Sequence, residues 1–144
     1  MSKNITLLFL IALLISAASE SSAQINIEGQ IQFQKNGNIY VYLVDEAVFK
    51  TPFTGIQDTL IHIGEAERKK QMVAFTFKAV KPGTYGIRCF QDVNGNGKLD
   101  KGLFGPKEPW GMSWQKEKPA MWPKFKDIAF QAKSDIKGLK IQLR

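Results

Sequence analysis

The sequence predicts an all-β protein, an immunoglobulin-like or transthyretin-like β-sandwich of about seven strands with one long ordered loop. Two observations support this fold class. Apolar residues alternate with polar residues at a period of two along much of the chain, as strands with one buried face require. Turn-forming residues separate these stretches, and short strands divided by regular turns are typical of a β-sandwich. A closed barrel built from the same strands is the alternative.

The first two predicted strands are joined by a tight turn. Alternating apolar residues predict a strand over residues 25–33, and the run Asn36-Gly37-Asn38 predicts a turn into a second strand over residues 39–44. The Asn-Gly pair accepts the positive φ angles that hairpin turns need. We therefore expect these two strands to pair antiparallel.

The later strands follow the same alternation. Tyr85, Ile87 and Cys89 lie on one face of a predicted strand, and Arg88 and Phe90 lie on the other. The remaining predicted strands cover residues 59–63, 73–77, 127–131 and 139–143.

Two segments do not show a strand pattern. Residues 65–71 are the only candidate for a helical turn, but their many charges favour a solvated loop. Residues 102–126 are rich in Gly, Pro, Trp and Lys and have no sustained period. This segment exceeds the roughly 12 to 15 residues above which unstructured connections are uncommon and often functional.

The tryptophans of this long segment allow two interpretations. In the first, the rings pack against the domain and hold the segment as an ordered loop. In the second, they form a ligand face together with nearby lysines. Partly exposed rings would favour the ligand face, and buried rings would favour the ordered loop. The residues of the predicted ligand face are Trp110, Trp114, Trp122, Lys116 and Lys124.

The amino-terminal residues predict export. Lys3 precedes an apolar run over residues 5–15, and small residues precede Gln24, as in a cleaved secretory signal. We assign residues 1–23 to a signal peptide and residues 24–144 to a single β-sandwich domain. No later apolar run approaches the roughly 20 residues that span a bilayer. The mature protein is therefore expected to be periplasmic or extracellular and not membrane-spanning.

The charge balance suggests classes of partner. The chain carries a formal net charge of +7, and residues 98–144 hold eleven Lys or Arg against five Asp or Glu. An exported basic protein favours anionic partners, so we expect an envelope glycan, an anionic lipid or a protein partner. Nucleic acid is not expected as a partner, because an exported protein meets glycans, lipids and peptides far more often than nucleic acid. The alternative is that the charge serves solubility alone.

The run from Asp92 to Asp100 has the spacing of a calcium-binding loop. With Asp92 as position 1, side-chain oxygens fall at positions 1, 3, 5 and 9, and glycine falls at position 6, where the loop turns sharply. Position 7 needs to supply only a backbone carbonyl. The predicted calcium ligands are Asp92, Asn94, Asn96, Lys98 through its carbonyl, and Asp100.

Position 12 departs from this pattern, because Leu103 stands where a bidentate glutamate is usual. Without this glutamate, the loop is predicted to be a weak, structural calcium site with a dissociation constant on the order of 10⁻⁴ to 10⁻³ M. Glu108 is a weaker candidate for a late ligand. The alternative is an ion-free turn, since Asn-Gly pairs also form plain turns and Asp and Asn side chains cap them.

No set of residues predicts catalysis. His62 is the only histidine and has no evident nucleophile or metal partner, and Cys89 alternates with apolar residues as a buried side chain does. Ser113 follows Gly111, but Gln115 stands where a nucleophile elbow needs glycine. We therefore expect no enzymatic activity.

Several motifs together resemble a known family. The order of these motifs along the chain is similar to that of domain-of-unknown-function family 2141, with alanine expected at Gly86 and a small polar residue at Trp114. The resemblance implies a small exported bacterial protein that is rich in β-structure and has no established activity. The motifs that carry the resemblance occupy residues 82–87, 92–100, 104–108, 111–113 and 123–130.

Three functions remain open at this point. The first is a non-catalytic binding or adaptor module of the cell envelope that carries a weak calcium loop. The second is a purely structural or accessory β domain with an ion-free Asn-Gly turn. The third is an enzyme with an unrecognised site.

Overall fold

The computed structural model describes residues 23–117 and 123–144. The predicted signal peptide lies outside the described residues except for Ala23, which is exposed, and Trp122 also lies outside them. Among the residues that are described, no helix has the length and apolar character needed to cross a membrane.

Within this part of the chain, ten strands alternate with three short helices. The helices are α1 (Glu46–Phe49), α2 (Glu65–Lys70) and α3 (Phe125–Ile128). The strands are β1 (Ile25–Gln32), β2 (Asn38–Val44), β3 (Gln57–Ile61), β4 (Met72–Val80), β5 (Gly83–Asp92), β6 (Lys101–Gly102), β7 (Gly105–Pro106), β8 (Trp110–Met112), β9 (Phe130–Ala132) and β10 (Ile136–Gln142).

The strands form two main sheets and one small hairpin. The smaller main sheet has the order β10-β1-β4, with β1 parallel to β10 and antiparallel to β4. The larger has the order β3-β2-β5-β8, all antiparallel, and β9 pairs with the start of β5. Strands β6 and β7 pair only with each other. The predicted all-β class is confirmed, and the strands form separate sheets.

One hydrophobic core joins the two main sheets. Strand β1 contributes Ile27 and Ile31, and β5 contributes Ile87, all fully shielded from solvent. Along β5 the predicted alternation is confirmed, since Tyr85, Ile87 and Cys89 belong to this core while Phe90 belongs to a second cluster on the opposite face. Side-chain alternation follows directly from strand geometry, so it is readable from the sequence.

The predicted pairing of the first two strands is wrong. Strands β1 and β2 lie in different sheets, and the Asn36-Gly37-Asn38 turn carries the chain from one to the other. The side chain of Gln91 stabilises this connection by donating to the carbonyls of Lys35 (2.6 Å) and Gly37 (3.1 Å). Strand β2 is buried along most of its length and pairs on both sides, which a two-stranded hairpin cannot provide.

The helices also correct the sequence interpretation. Residues 65–70 form α2 and not the favoured solvated loop, although the helix is exposed and carries a Lys69–Glu65 ion pair of 2.9 Å. Helices α1 and α3 were not predicted, and α3 replaces the first part of the strand expected over residues 127–131. Each has four residues, too few to show a helical period in the sequence.

Candidate functional site

The outer face of the larger sheet carries a second hydrophobic cluster. Its buried members are Tyr42 and Val44 from β2, Phe90 from β5 and Ile128 from α3. The rings of Tyr40 and Phe90 stack with their centroids 5.0 Å apart. Val48 and Phe49 of α1 and Phe125 and Ile128 of α3 pack in this cluster, so the two helices cover the outer face of the sheet.

An aromatic pocket with a cavity volume of about 200 Å³ opens in this cover. This volume lies below the roughly 300 to 1,000 Å³ typical of drug-sized ligand sites, so the pocket suits one ring or a short acyl chain. Its walls come from β2, β5, β8, the α1 segment and the loop after β5. The pocket is lined by Tyr42, Phe49, Pro52, Phe53, Arg88, Cys89, Phe90, Leu99, Lys101, Pro106, Trp110, Gly111, Met112 and Pro123.

Arg88 brings a positive charge to this apolar pocket. Its guanidinium donates to the carbonyls of Phe49 (3.2 Å), Thr51 and Thr54 (2.6 Å), which holds the α1 segment over the sheet. The Nε atom is buried and has no hydrogen-bond partner. Burial lowers the pKa of Arg88 from its ordinary value, with Tyr42 acting in the opposite direction.

No carboxylate in the described residues pairs with this charge, since the only ion pair found there joins Lys69 and Glu65. Lys101 adds a second positive charge to the pocket lining, with its Nζ atom 6.0 Å from the centre of the Phe53 ring. The pocket therefore combines apolar walls with positive charge that no acidic side chain there offsets.

A second cleft, which we call the tryptophan cleft, adjoins the aromatic pocket and shares Trp110 and Met112 with it. Its cavity volume is about 230 Å³. The Trp110 and Trp114 rings meet edge to face with their centroids 6.0 Å apart. Three basic residues and one acidic residue give it a positive charge. The remaining lining residues are Trp114, Lys116, Glu117, Lys140, Gln142 and Arg144.

The structure brings together part of the predicted ligand face. Trp110, Trp114 and Lys116 line the tryptophan cleft, and both rings are partly exposed while packing against the second cluster. Lys124 is exposed, precedes α3 and lines neither cleft. Trp122 lies outside the described residues. Trp110 and Trp114 are thus partly exposed and in contact with each other, and the ligand face stays a prediction.

The predicted calcium loop is organised around the carboxylate of Asp92. This side chain is 5% exposed. Its Oδ1 atom accepts the backbone N–H groups of Gly95 (2.9 Å) and Asn96 (3.1 Å), and its Oδ2 atom accepts that of Gly97 (2.8 Å). Both glycines have positive φ, which lets the chain curl around the carboxylate.

The other predicted ligands contact one another. The side-chain amides of Asn94 (2.6 Å) and Asn96 (3.0 Å) both donate to Oδ2 of Asp100. The amide oxygens of the same two residues accept backbone N–H groups within the loop. Lys98 donates its backbone N–H to Asn96 (2.9 Å) and its side chain is exposed. Four predicted ligand side chains therefore lie in one hydrogen-bonded loop.

Glu108, the weaker candidate, folds back onto this loop. It is 7% exposed, and its carboxylate accepts the backbone N–H groups of Val93 (2.8 Å), Asn94 (3.4 Å) and Asp100 (3.2 Å). Among residues 23–117 and 123–144, however, no three His, Cys, Asp or Glu side chains are grouped as a metal site. Bound calcium would therefore need oxygen atoms from Asn94 and Asn96 as well as carboxylates.

Cys89 and Ser113 make structural contacts. The Cys89 thiol is buried in the core, where burial raises its pKa and keeps it protonated. The Ser113 hydroxyl donates to the carbonyl of Ile128 (2.7 Å) and accepts the backbone N–H of Ile87 (2.8 Å), which ties α3 to β5. His62 is exposed just after β3.

Sequence reasoning missed the aromatic pocket. Its lining residues Arg88 and Phe90 lie on the face of β5 opposite Tyr85, Ile87 and Cys89, and Tyr42 of β2 packs in the same cluster as Phe90. Aromatic residues at Tyr40, Tyr42 and Phe90 were the available signal, because three aromatic rings on one outer face indicate that this face is also covered.

Comparisons with known proteins identify a family and nothing more specific. A family model described as an uncharacterized protein conserved in bacteria, DUF2141, matches residues 25–138. No curated protein and no solved structure matches the chain.

Proposed function

Because this chain belongs to the bacterial family DUF2141, whose description assigns no activity, we propose a function from the site itself: the protein is an exported, non-catalytic binding module for small anionic amphiphiles. The observation that carries this proposal is that no carboxylate of the described residues pairs with the Arg88 guanidinium, which lies among the aromatic walls of the pocket. The engagement of Cys89 and Ser113 in structural contacts supports a non-catalytic role. We also propose that the two main sheets form a sandwich of immunoglobulin-like or transthyretin-like type.

The ligand class follows from the lining of the two adjoining clefts. Apolar walls favour a ring or acyl chain, because apolar surface leaving water contributes roughly 25 cal/mol per Å². Arg88 and Lys101 favour a negative charge on the same ligand. The basic tryptophan cleft beyond Trp110 offers further room for an anionic headgroup. Of the expected partner classes, an anionic lipid fits this combination best, and a fatty acid is its simplest representative.

Decanoate binding tests this proposal. We expect decanoate, below the concentration at which it forms micelles, to change the intrinsic tryptophan fluorescence in a saturable way. Decanol should bind about tenfold more weakly, because it lacks the charge that Arg88 and Lys101 attract; tenfold corresponds to about 1.4 kcal/mol. Phe53→Ala removes one pocket wall and Lys101→Gln removes one charge, and each should weaken decanoate binding.

Two control variants distinguish decanoate binding in the pocket from binding to apolar or basic residues elsewhere on the surface. Met72→Ala and Lys78→Gln alter an exposed apolar residue and an exposed lysine on β4, away from the pocket. They should leave the decanoate affinity unchanged. Equal binding of decanol and decanoate, or equal loss in the control variants, would contradict the proposed ligand class.

We further propose that the loop from Asp92 to Asp100 binds calcium as a structural ion. Asp92 and Glu108 are buried carboxylates, and hydrogen bonds from the backbone are their only described partners. Rotating the Asn94 and Asn96 amides by half a turn would direct their oxygens to the place where the nitrogens now meet Asp100. Leu99 and Lys101 flank Asp100 and line the aromatic pocket, so the ion would also order a pocket wall.

Thermal melting tests the calcium proposal. With a dissociation constant of about 10⁻⁴ to 10⁻³ M, about 10 mM calcium should stabilise the protein by about 1.4 to 2.7 kcal/mol relative to chelator. Asp100→Asn should reduce this stabilisation by removing a charged ligand, and Asn94→Asp should increase it by adding one. Equal melting temperatures with calcium and with chelator in all three proteins would support the ion-free turn.

A further inference from the structure

Two large apolar side chains stand at the tip of the hairpin formed by β6 and β7. The pairs Lys101–Pro106 and Gly102–Gly105 leave Leu103 and Phe104 as the two-residue loop. Leu103 is 97% exposed and Phe104 is 103% exposed, so neither side chain packs against the protein. Two-residue hairpin loops favour glycine, asparagine and aspartate, so turn formation does not explain this choice.

Three lysines lie in or close to this hairpin along the chain. Lys101 pairs within it, the Lys107 side chain lies beside Gly102, and Lys98 precedes it by three residues; all three are exposed. The nearby acidic groups face the loop behind the hairpin, where Asp100 accepts the two asparagine amides and Glu108 accepts backbone N–H groups. The hairpin therefore presents two exposed apolar side chains, with lysines at and beside its base.

We propose that Leu103 and Phe104 insert into the surface of an anionic lipid bilayer, with the three lysines contacting its headgroups. Apolar side chains that reach the boundary between headgroups and acyl chains bind reversibly, and basic residues beside them add attraction to anionic lipid. The positive charge of these lysines matches a negatively charged surface, which favours this occupant over a neutral apolar one. This inference concerns a surface and goes beyond the proposed ligand pocket.

The hairpin and the aromatic pocket share residues. Lys101 and Pro106 pair with each other in the hairpin and also line the pocket. A bilayer bound at the tip would therefore lie next to one wall of the pocket. Docking itself does not require the pocket to hold a ligand, so the two proposals are tested separately.

Vesicle co-sedimentation of residues 24–144 tests the docking surface. We expect binding to vesicles of equal parts phosphatidylglycerol and phosphatidylcholine, and at least tenfold weaker binding to phosphatidylcholine alone. The double variant Leu103→Ser/Phe104→Ser should bind the anionic vesicles at least tenfold more weakly. Raising the salt concentration should weaken binding of the unchanged protein, because salt screens the lysines.

The control double variant Leu60→Ser/Met72→Ser alters two other exposed apolar residues, each 40% exposed, and should bind vesicles normally. Failure of the unchanged protein to bind anionic vesicles, or full binding by the tip variant, would overturn the proposal. The unchanged protein could instead self-associate without binding vesicles. If the tip variant abolishes that self-association, the tip contacts a second copy of the chain and the proposal is also overturned. Decanoate affinity of the tip variant should stay normal, which separates this result from failure of the pocket.

Discussion

Replacing Gly37 with alanine is expected to destabilise the protein by about 2 to 6 kcal/mol, because the new side chain is strained and also collides with its surroundings. Gly37 has a φ of 127°, a conformation that residues with a Cβ atom rarely adopt. An added Cβ would overlap the Asp92 carbonyl oxygen and lie 2.8 Å from the carbonyl carbon. Since domains of this size have a total stability of about 5 to 15 kcal/mol, the variant would lose a large share of it.

Gly95 supplies the matched control. It also has a positive φ, 75°, but an added Cβ would meet no atom within 4 Å. Gly95→Ala should therefore cost only about 1 kcal/mol of backbone strain. Urea denaturation followed by circular dichroism measures both values. Equal free energies of unfolding for the two variants would show that the contact between the turn and the end of β5 is not close.

Replacing Asp92 with alanine is expected to cost about 2 to 4 kcal/mol in the absence of calcium. The variant leaves the backbone N–H groups of Gly95 and Gly97 without an acceptor, while that of Asn96 keeps the Asn94 amide oxygen (3.1 Å). Leaving one buried donor unpaired costs about 1 to 3 kcal/mol, and water can replace part of this loss because the loop residues are exposed. Asp92→Asn should cost less, because the amide keeps one accepting oxygen.

The measurement is urea denaturation in buffer with chelator, so that the result reports the hydrogen bonds and not an ion. Asp58→Ala is the control, since Asp58 is an exposed acid on β3 and should change stability by less than about 0.5 kcal/mol. Glu108→Ala should be comparable to Asp92→Ala. Because both carboxylates hold the same loop, the double variant should cost less than the sum of the two. A cost for Asp92→Ala no larger than that for Asp58→Ala would contradict this account.

The longer strands were predictable where every second residue faces the core, because this arrangement produces the alternation in the sequence. The alternation of Tyr85, Ile87 and Cys89 with Arg88 and Phe90 predicted the two faces of β5 correctly. The short strands β6 to β9 have two or three residues each and offer no period to recognise. They arise because the long segment after β5 lies along β5 and pairs with it or with itself.

The candidate site was predictable only in part. The side chains of Asp92, Asn94, Asn96 and Asp100 lie in one hydrogen-bonded loop, because neighbours within nine residues of a tight loop are held together locally. Calcium binding by this loop stays a prediction. Arg88 as a pocket charge was not foreseen, since its partners are carbonyls at Phe49, Thr51 and Thr54, more than thirty residues away in the chain.

The order of residues along the chain was sufficient to predict a protein built of strands, the inward face of β5, the position of an oxygen-rich loop and the family. Each depends on local geometry or on motif order. The three-dimensional contacts were needed to show that β1 and β2 lie in different sheets and that Arg88, Lys101 and Trp110 line one pocket. The reason is that strand pairing and pocket formation depend on contacts between distant segments, which alternation at a period of two leaves undetermined.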